Sequence, residues 1–197
     1  MNYELAYRIG FHPWEDAAGQ PEFRHTIASL LDAQEPPGRA LDLGTGSGIW
    51  AVELARRGWD VTGVDTVPRA LDRARERARH EGVPARFEEA DVTDLGGLGS
   101  GFNLLLDTGT FHGLRAAQRK AMARSVTAVA AAEATLLLLA WTPRRRGPLP
   151  RGADVGEIAA AFDGWDVAEA GPSGFRAPKP IELLLDPGER WYRLRRR

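Results

Sequence analysis

Two carboxylates and three alternate glycines stand within one short stretch: Asp42, Gly44, Gly46, Gly48 and Asp65. The pattern reads as a buried strand, Arg39 to Leu43, running into a glycine turn that opens a helix. Glycines at alternate positions let a backbone approach a ligand where any Cβ would clash. A second strand, Asp60 to Asp65, ends on a carboxylate. Such a group accepts hydrogen bonds from both hydroxyls of a ribose. The chemistry is that of a nucleoside cofactor site. The bland alternative is a βαβ unit whose glycines only make a tight turn, and turn chemistry alone does not call for Asp42 and Asp65.

Spacing separates two cofactor classes. A dinucleotide fingerprint needs G-x-G-x-x-G, with the pyrophosphate on the helix N-terminus. Here the third position after Gly46 is Ile49, and the third glycine falls one place early. An acid two residues before the first glycine suits a ligand carrying a positive amine. The set Asp42-x-Gly44-Thr45-Gly46-x-Gly48, with Asp65 and Thr66 after the second strand, resembles the first motif of class I S-adenosylmethionine-dependent methyltransferases.

That resemblance implies S-adenosylmethionine as cofactor and S-adenosylhomocysteine as product, with no metal. It implies that Asp42 balances the amine, directly or through water, and that Asp65 holds the ribose. Asp91 would give its carboxylate to the adenine amine and Val92 its backbone N–H to the ring; the alternative for Asp91 is a turn cap. Asp107-Thr-Gly-Thr-Phe-His112 ends the fourth strand. It resembles the D-x-G-x-F-H stretch of small-molecule enzymes near the thiopurine, thiol and halide methyltransferases. In that branch Asp107 lies by the methionine part, and Phe111 and His112 face the transferred methyl. An imidazole titrates near ~6.5, so His112 is a candidate base; a helix-start residue bonding the backbone is the alternative. Asp107 and His112 are thus the catalytic candidates.

The stretch from Tyr3 to Glu15, with Tyr7, Arg8, Pro13 and Trp14, resembles the lead-in of the same branch. There it folds over the cofactor and excludes water. Trp14 is expected as a lid or pocket wall, or else as an aromatic packed under the arm.

The elements that must position these residues alternate. Helical spacing covers Pro21 to Gln34, Ile49 to Arg57, a stripe of Val67, Ala70, Leu71, Ala74 and Ala78, and Arg115 to Ala131. Thr66 is the expected N-cap of the third helix. Strands are expected at Ala85 to Ala90, Phe102 to Asp107 and Thr135 to Trp141. A short helix, Asp154 to Phe162, precedes two last strands, Trp165 to Glu169 and Arg190 to Leu194. The fold class is therefore α/β, a Rossmann-like doubly wound sheet, mostly parallel, with helices on both faces. The resembled family adds an antiparallel seventh strand at the edge, and Arg190 to Leu194 is its candidate. The 197 residues fit one domain, with residues 1–38 forming an arm and helix over the site.

Bulk properties bound the partners. The net charge of -1 offers no global basic field for nucleic acid. Cysteine is absent, which excludes disulfides, thiolate zinc sites and cysteine nucleophiles. His12, His25 and His80 lack metal spacing. No signal-peptide core is present, and the longest apolar run is far below the ~20 residues of a membrane helix. A cytoplasmic enzyme, monomer or homodimer, with a small-molecule acceptor and without DNA or membrane partners is expected. Transfer to an oxygen, nitrogen, sulfur or halide acceptor is the leading reading. RNA or protein methylation, and a non-catalytic cofactor binder, are the alternatives. Arg144-Arg-Arg146 is an acceptor-binding cluster or a solvated run, and Arg193 with Arg195 to Arg197 reads as a solvated tail.

Overall fold

The computed structural model describes residues 18–35, 38–145, 150–176 and 188–197. The lead-in with Trp14 and His12, and Arg146, lie outside the described residues.

Helix α1 (Pro21–Asp32) precedes strand β1 (Arg39–Leu43). Then follow α2 (Ile49–Arg56), β2 (Asp60–Asp65), α3 (Pro68–His80), β3 (Ala85–Glu89), β4 (Phe102–Asp107), α4 (Ala116–Val129), β5 (Ala130–Ala140), α5 (Val155–Ala161), β6 (Trp165–Pro172) and β7 (Arg190–Arg196). Two 3-10 turns, Gly96–Leu98 and Phe111–Gly113, flank β4.

One seven-stranded sheet forms in the order β3-β2-β1-β4-β5-β7-β6. The pairs among β1 to β5 are parallel, whereas β7 runs antiparallel to β5 and β6. The seventh strand is antiparallel as expected; it lies between β5 and β6, which leaves β6 at the edge. Strand β4 explains why a parallel strand reads as a continuous apolar run. Leu104 and Leu106 face α1 and α2, packing with Ile27, Trp50 and Leu54. Leu105 faces the opposite layer, with Met122 and Val126 of α4 and Phe162. Both faces are covered, so neither side of the strand needs polar residues.

Three expectations are corrected. The alanine-rich stretch after Val129 is not helical: Ala130 is extended, starts β5 and pairs with Phe102. Alanine has the best helix propensity, but pairing with β4 overrides it here. The change costs a local irregularity, with Glu133 at φ 57 and a register shift between Phe102 and Leu104. Second, the arginine-rich end is not a tail. Arg195 lies opposite Thr135 and Asp166 within β7, and Arg196 donates to the Ala130 carbonyl. Third, Thr66 is exposed and Val67 takes the N-cap position of α3. The Val67 N–H is met by the Asp65 carboxylate at 2.9 Å, so the acid does the work expected of the threonine.

Gly48 caps α2 at φ 76. A Cβ there would lie 2.8 Å from the Ala74 Cβ of α3 and 3.2 Å from the Phe87 ring. The glycine thus lets α2 and α3 pack at the root of the turn. Gly48→Ala is expected to lower the unfolding free energy by at least ~1–3 kcal/mol, the cost of a left-handed non-glycine residue alone. Urea denaturation checks this, and an unchanged midpoint would contradict it.

Candidate active site

In an open α/β sheet, ligands bind beyond the carboxyl ends of the strands where the strand order reverses. Here that point lies between β1 and β4, whose last residues, Leu43 and Asp107, are register partners. The turn after β1 and the loop after β4 meet there. Thr110 Oγ1 donates to the Leu43 carbonyl at 3.2 Å. Gly44 sits against it at φ 67, where a Cβ would fall 2.2 Å from that hydroxyl. Gly44 therefore makes room for a neighbouring loop of the protein itself.

Asp42 is buried at the end of β1. Its Oδ2 accepts from Thr45 Oγ1 at 2.6 Å, while Oδ1 has no hydrogen-bond partner among the described residues. Burial raises its pKa to about 7; the Thr45 bond and the Ala51 backbone N–H oppose that rise, and the charges of Asp107 and Asp65 add to it. Asp65 is half-buried at the end of β2. It accepts the Gly46 N–H and the Val67 N–H, each at 2.9 Å, one on each oxygen. A carboxylate has about four acceptor sites, so capacity remains for a ligand. Burial raises its pKa too, against the pull of the Val67, Gly46 and Thr66 N–H groups.

Asp107 is fully buried. It accepts three backbone N–H groups, from Gly109 (2.9 Å), Thr110 (2.6 Å) and Phe111 (2.9 Å). Burial outweighs those bonds and lifts its pKa to about 6. The side chain fixes the loop that carries His112. Asp91 is exposed, and its Oδ1 accepts both the backbone N–H and the hydroxyl of Thr93, at 2.8 and 2.7 Å. Val92 beside it is buried, and the loop start is tied to β2 through the Ala90 N–H to the Asp65 carbonyl, 3.1 Å.

One residue at this edge, Arg119, gave no signal in the sequence. Arg119 of α4 reaches back into the loop, where its guanidinium donates to the carbonyls of Leu114 (3.0 Å), His112 (2.9 Å) and Gly152 (2.8 Å). It also lies over the Phe111 ring, and burial lowers its pKa. His112 is mostly buried and stacks on Trp141, with centroids 5.0 Å apart and planes at 18°. Trp141 follows β5 and keeps part of its surface exposed, whereas Trp50 packs in the core against Phe23. Arg144 and Arg145 are exposed. Among the described residues, no group of three or more histidines and carboxylates is placed to hold a metal. Nor is any helix there long and apolar enough to cross a membrane.

Residues 40–133 match a family model described as a methyltransferase domain. The chain is an S-adenosylmethionine-dependent methyltransferase. This methyltransferase is 29% identical over 168 residues to 2-heptyl-1-hydroxyquinolin-4(1H)-one methyltransferase of Mycobacteroides abscessus; the match covers 82% of this chain and 71% of the relative. It is 36% identical over 84 residues to demethylmenaquinone methyltransferase of Deinococcus radiodurans, covering 42% of this chain but only 31% of that relative. Among solved structures, one concerned with conversion of a disulfide bond into a thioacetal group during echinomycin biosynthesis superposes with a TM-score of 0.71. It is 27% identical and covers 97% of this chain and 90% of its own.

The site residues fit the methyl donor. Asp42 Oδ1, without a hydrogen bond of ordinary length among the described residues, has room for an amine, and Asp65 retains capacity for a hydroxyl. The ionisation of Asp42 also has a stability signature. Its folded pKa of about 7 lies above the ordinary 3.8, so its contribution is whole below 3.8 and lost as pH rises through 7. Asp42→Asn should therefore flatten the fall in melting temperature between pH 5 and pH 8. At pH 8 the cofactor-free variant should be the more stable by at least ~1 kcal/mol. Parallel melting curves across that range would show that the buried charge is not there.

Proposed function

We propose that this methyltransferase acts on a small molecule bearing a flat aromatic ring, methylating an oxygen, nitrogen or sulfur on or near it. The observation that carries this reading is the His112–Trp141 stack, beyond the ends of β4 and β5; in this reading it forms an aromatic wall of the acceptor site. A flat ring gains both burial and stacking against such a wall. The quinolone methyltransferase similarity supports a ring-bearing acceptor. The similarity to the structure concerned with a disulfide and a thioacetal keeps sulfur among the acceptor atoms. The likeness to the thiopurine, thiol and halide branch rests on Asp107 to His112, and on an N-terminal stretch outside the described residues.

S-adenosylmethionine supplies an activated methyl group on a sulfonium. Asp42 takes the amine of its methionine part, assisted by the turn of Gly44, Thr45, Gly46 and Gly48. Asp65, beside Thr66, accepts the ribose hydroxyls. Asp91 and Val92 border the adenine, with one Asp91 oxygen already held by Thr93. Asp107 acts as a positioning residue, because its oxygens are taken up by three N–H groups of the loop. His112 orients the acceptor and accepts its proton where the nucleophile carries one. The protein's task is then alignment and exclusion of water. In this reading residues 1–197 act as one domain.

Two measurements test the assignment. Asp65→Ala should weaken S-adenosylhomocysteine binding in calorimetry by at least ~10-fold, since two charge-assisted hydrogen bonds are lost. Unchanged affinity would remove the ribose role. Turnover screened across hydroxyquinolines, other phenols, aromatic amines, thiols and iodide should favour ring-bearing acceptors. Iodide or aliphatic thiols as the best acceptors would overturn the proposed class.

A further inference from the structure

Glu189 is a half-buried carboxylate at this edge that the cofactor reading leaves unused. It immediately precedes β7, whose antiparallel course brings its start to the same edge as the end of β5, with Arg190 opposite Ala140. Its Oε1 accepts the Trp141 indole N–H at 2.7 Å. Its Oε2 accepts the Ser173 hydroxyl at 3.1 Å, and its backbone carbonyl accepts the Ser173 N–H at 3.0 Å. Ser173 is itself buried, and its hydroxyl accepts the Phe175 N–H at 3.0 Å. Burial raises the pKa of Glu189 despite both side-chain donors.

The indole of Trp141 is consequently fixed at two points. Its backbone carbonyl accepts the Ala153 N–H at 2.9 Å, and its ring nitrogen is held by Glu189. A tryptophan side chain has two rotatable bonds. Anchoring the far end of the ring fixes the plane, and His112 lies against that plane at 18°. Arg119 holds the His112 backbone from the other side through its carbonyl. Backbone and ring are thus constrained by separate groups from separate elements.

We propose that Glu189 is a positioning residue: it sets the Trp141 plane and, through the ring stack, the orientation of the His112 imidazole toward the acceptor. The inference rests on the reading that His112 faces the acceptor. A site that must hold a reacting group in one geometry gains from such support, because small misplacements cost rate. Glutamine in place of Glu189 keeps an acceptor for the indole and a donor for the Ser173 oxygen. It therefore preserves the positioning without the charge.

The test is nuclear magnetic resonance of the full chain without any acceptor. His112 is identified by the loss of its signal in His112→Asn. In the wild-type protein, the His112 ring protons should show a ring-current displacement and nuclear Overhauser contacts to the Trp141 indole. Glu189→Ala should lose both, while Glu189→Gln should retain both. Glu189→Asp, too short to reach the indole and Ser173 together, should lose them as well, and it serves if the alanine variant does not fold. Contacts that persist in a folded alanine or aspartate variant would overturn the proposal, as would their loss in a folded glutamine variant. Because these spectra need no acceptor, they judge the positioning separately from the proposed substrate class.

Discussion

A carboxylate buried with few hydrogen bonds is expensive, and Asp42 Oδ1 has none of ordinary length among the described residues, with only the Ala51 backbone N–H pulling on the carboxylate besides Thr45. The protein partly compensates through Thr45 on the other oxygen, and burial still carries the pKa to about 7. Nearby Asp107 and Asp65 add negative charge. Three acids gathered at one sheet edge repel one another and favour any cation placed among them. The methyl donor carries such charge in its amine and its sulfonium. On the proposed reading, binding of the cofactor relieves that cost.

The architecture explains how those acids come together. The sheet reverses order between β1 and β4, so the loops leaving those strands diverge toward opposite faces. At their root the two loops touch, Thr110 bonding the Leu43 carbonyl and packing against Gly44. Asp107 is spent on folding its own loop, which fixes the backbone leading to His112. Around His112 and Trp141, further ties are longer-range. Arg119 joins the loop to Gly152, and Glu189 joins Trp141 to Ser173.

Much of this arrangement was legible before any coordinates. Strands β1, β2 and β4 end on or next to acids, their apolar patterns are unambiguous, and their bounds match the expectation. The stripe of Ala70, Leu71, Ala74 and Ala78 in α3 is buried as its spacing implies. Two of the three failures depended on partners distant in sequence; the third, the cap at Thr66, was taken over by its neighbour Asp65. Ala130 becomes a strand because Phe102 is beside it, and the terminal arginines become β7 because β5 and β6 need a strand between them. The glycines were half read. Their conformations are special, but Gly44 and Gly48 are required by Thr110 and Ala74 as much as by any ligand. Arg119 and Glu189 carry no local motif, since each matters through contacts 33 and 48 positions away.

The central claim is that the buried Asp42 carboxylate is the counter-charge of the cofactor's amine. Calorimetry of S-adenosylhomocysteine binding at pH 6, in buffers of different ionisation enthalpy, tests it directly. With a pKa of about 7, Asp42 is mostly protonated in the free protein at that pH. An ammonium group arriving beside it lowers that pKa, so binding should release close to one proton, and Asp42→Asn should abolish most of the release. Binding with the same apparent enthalpy in every buffer, for wild type and variant alike, would contradict the account.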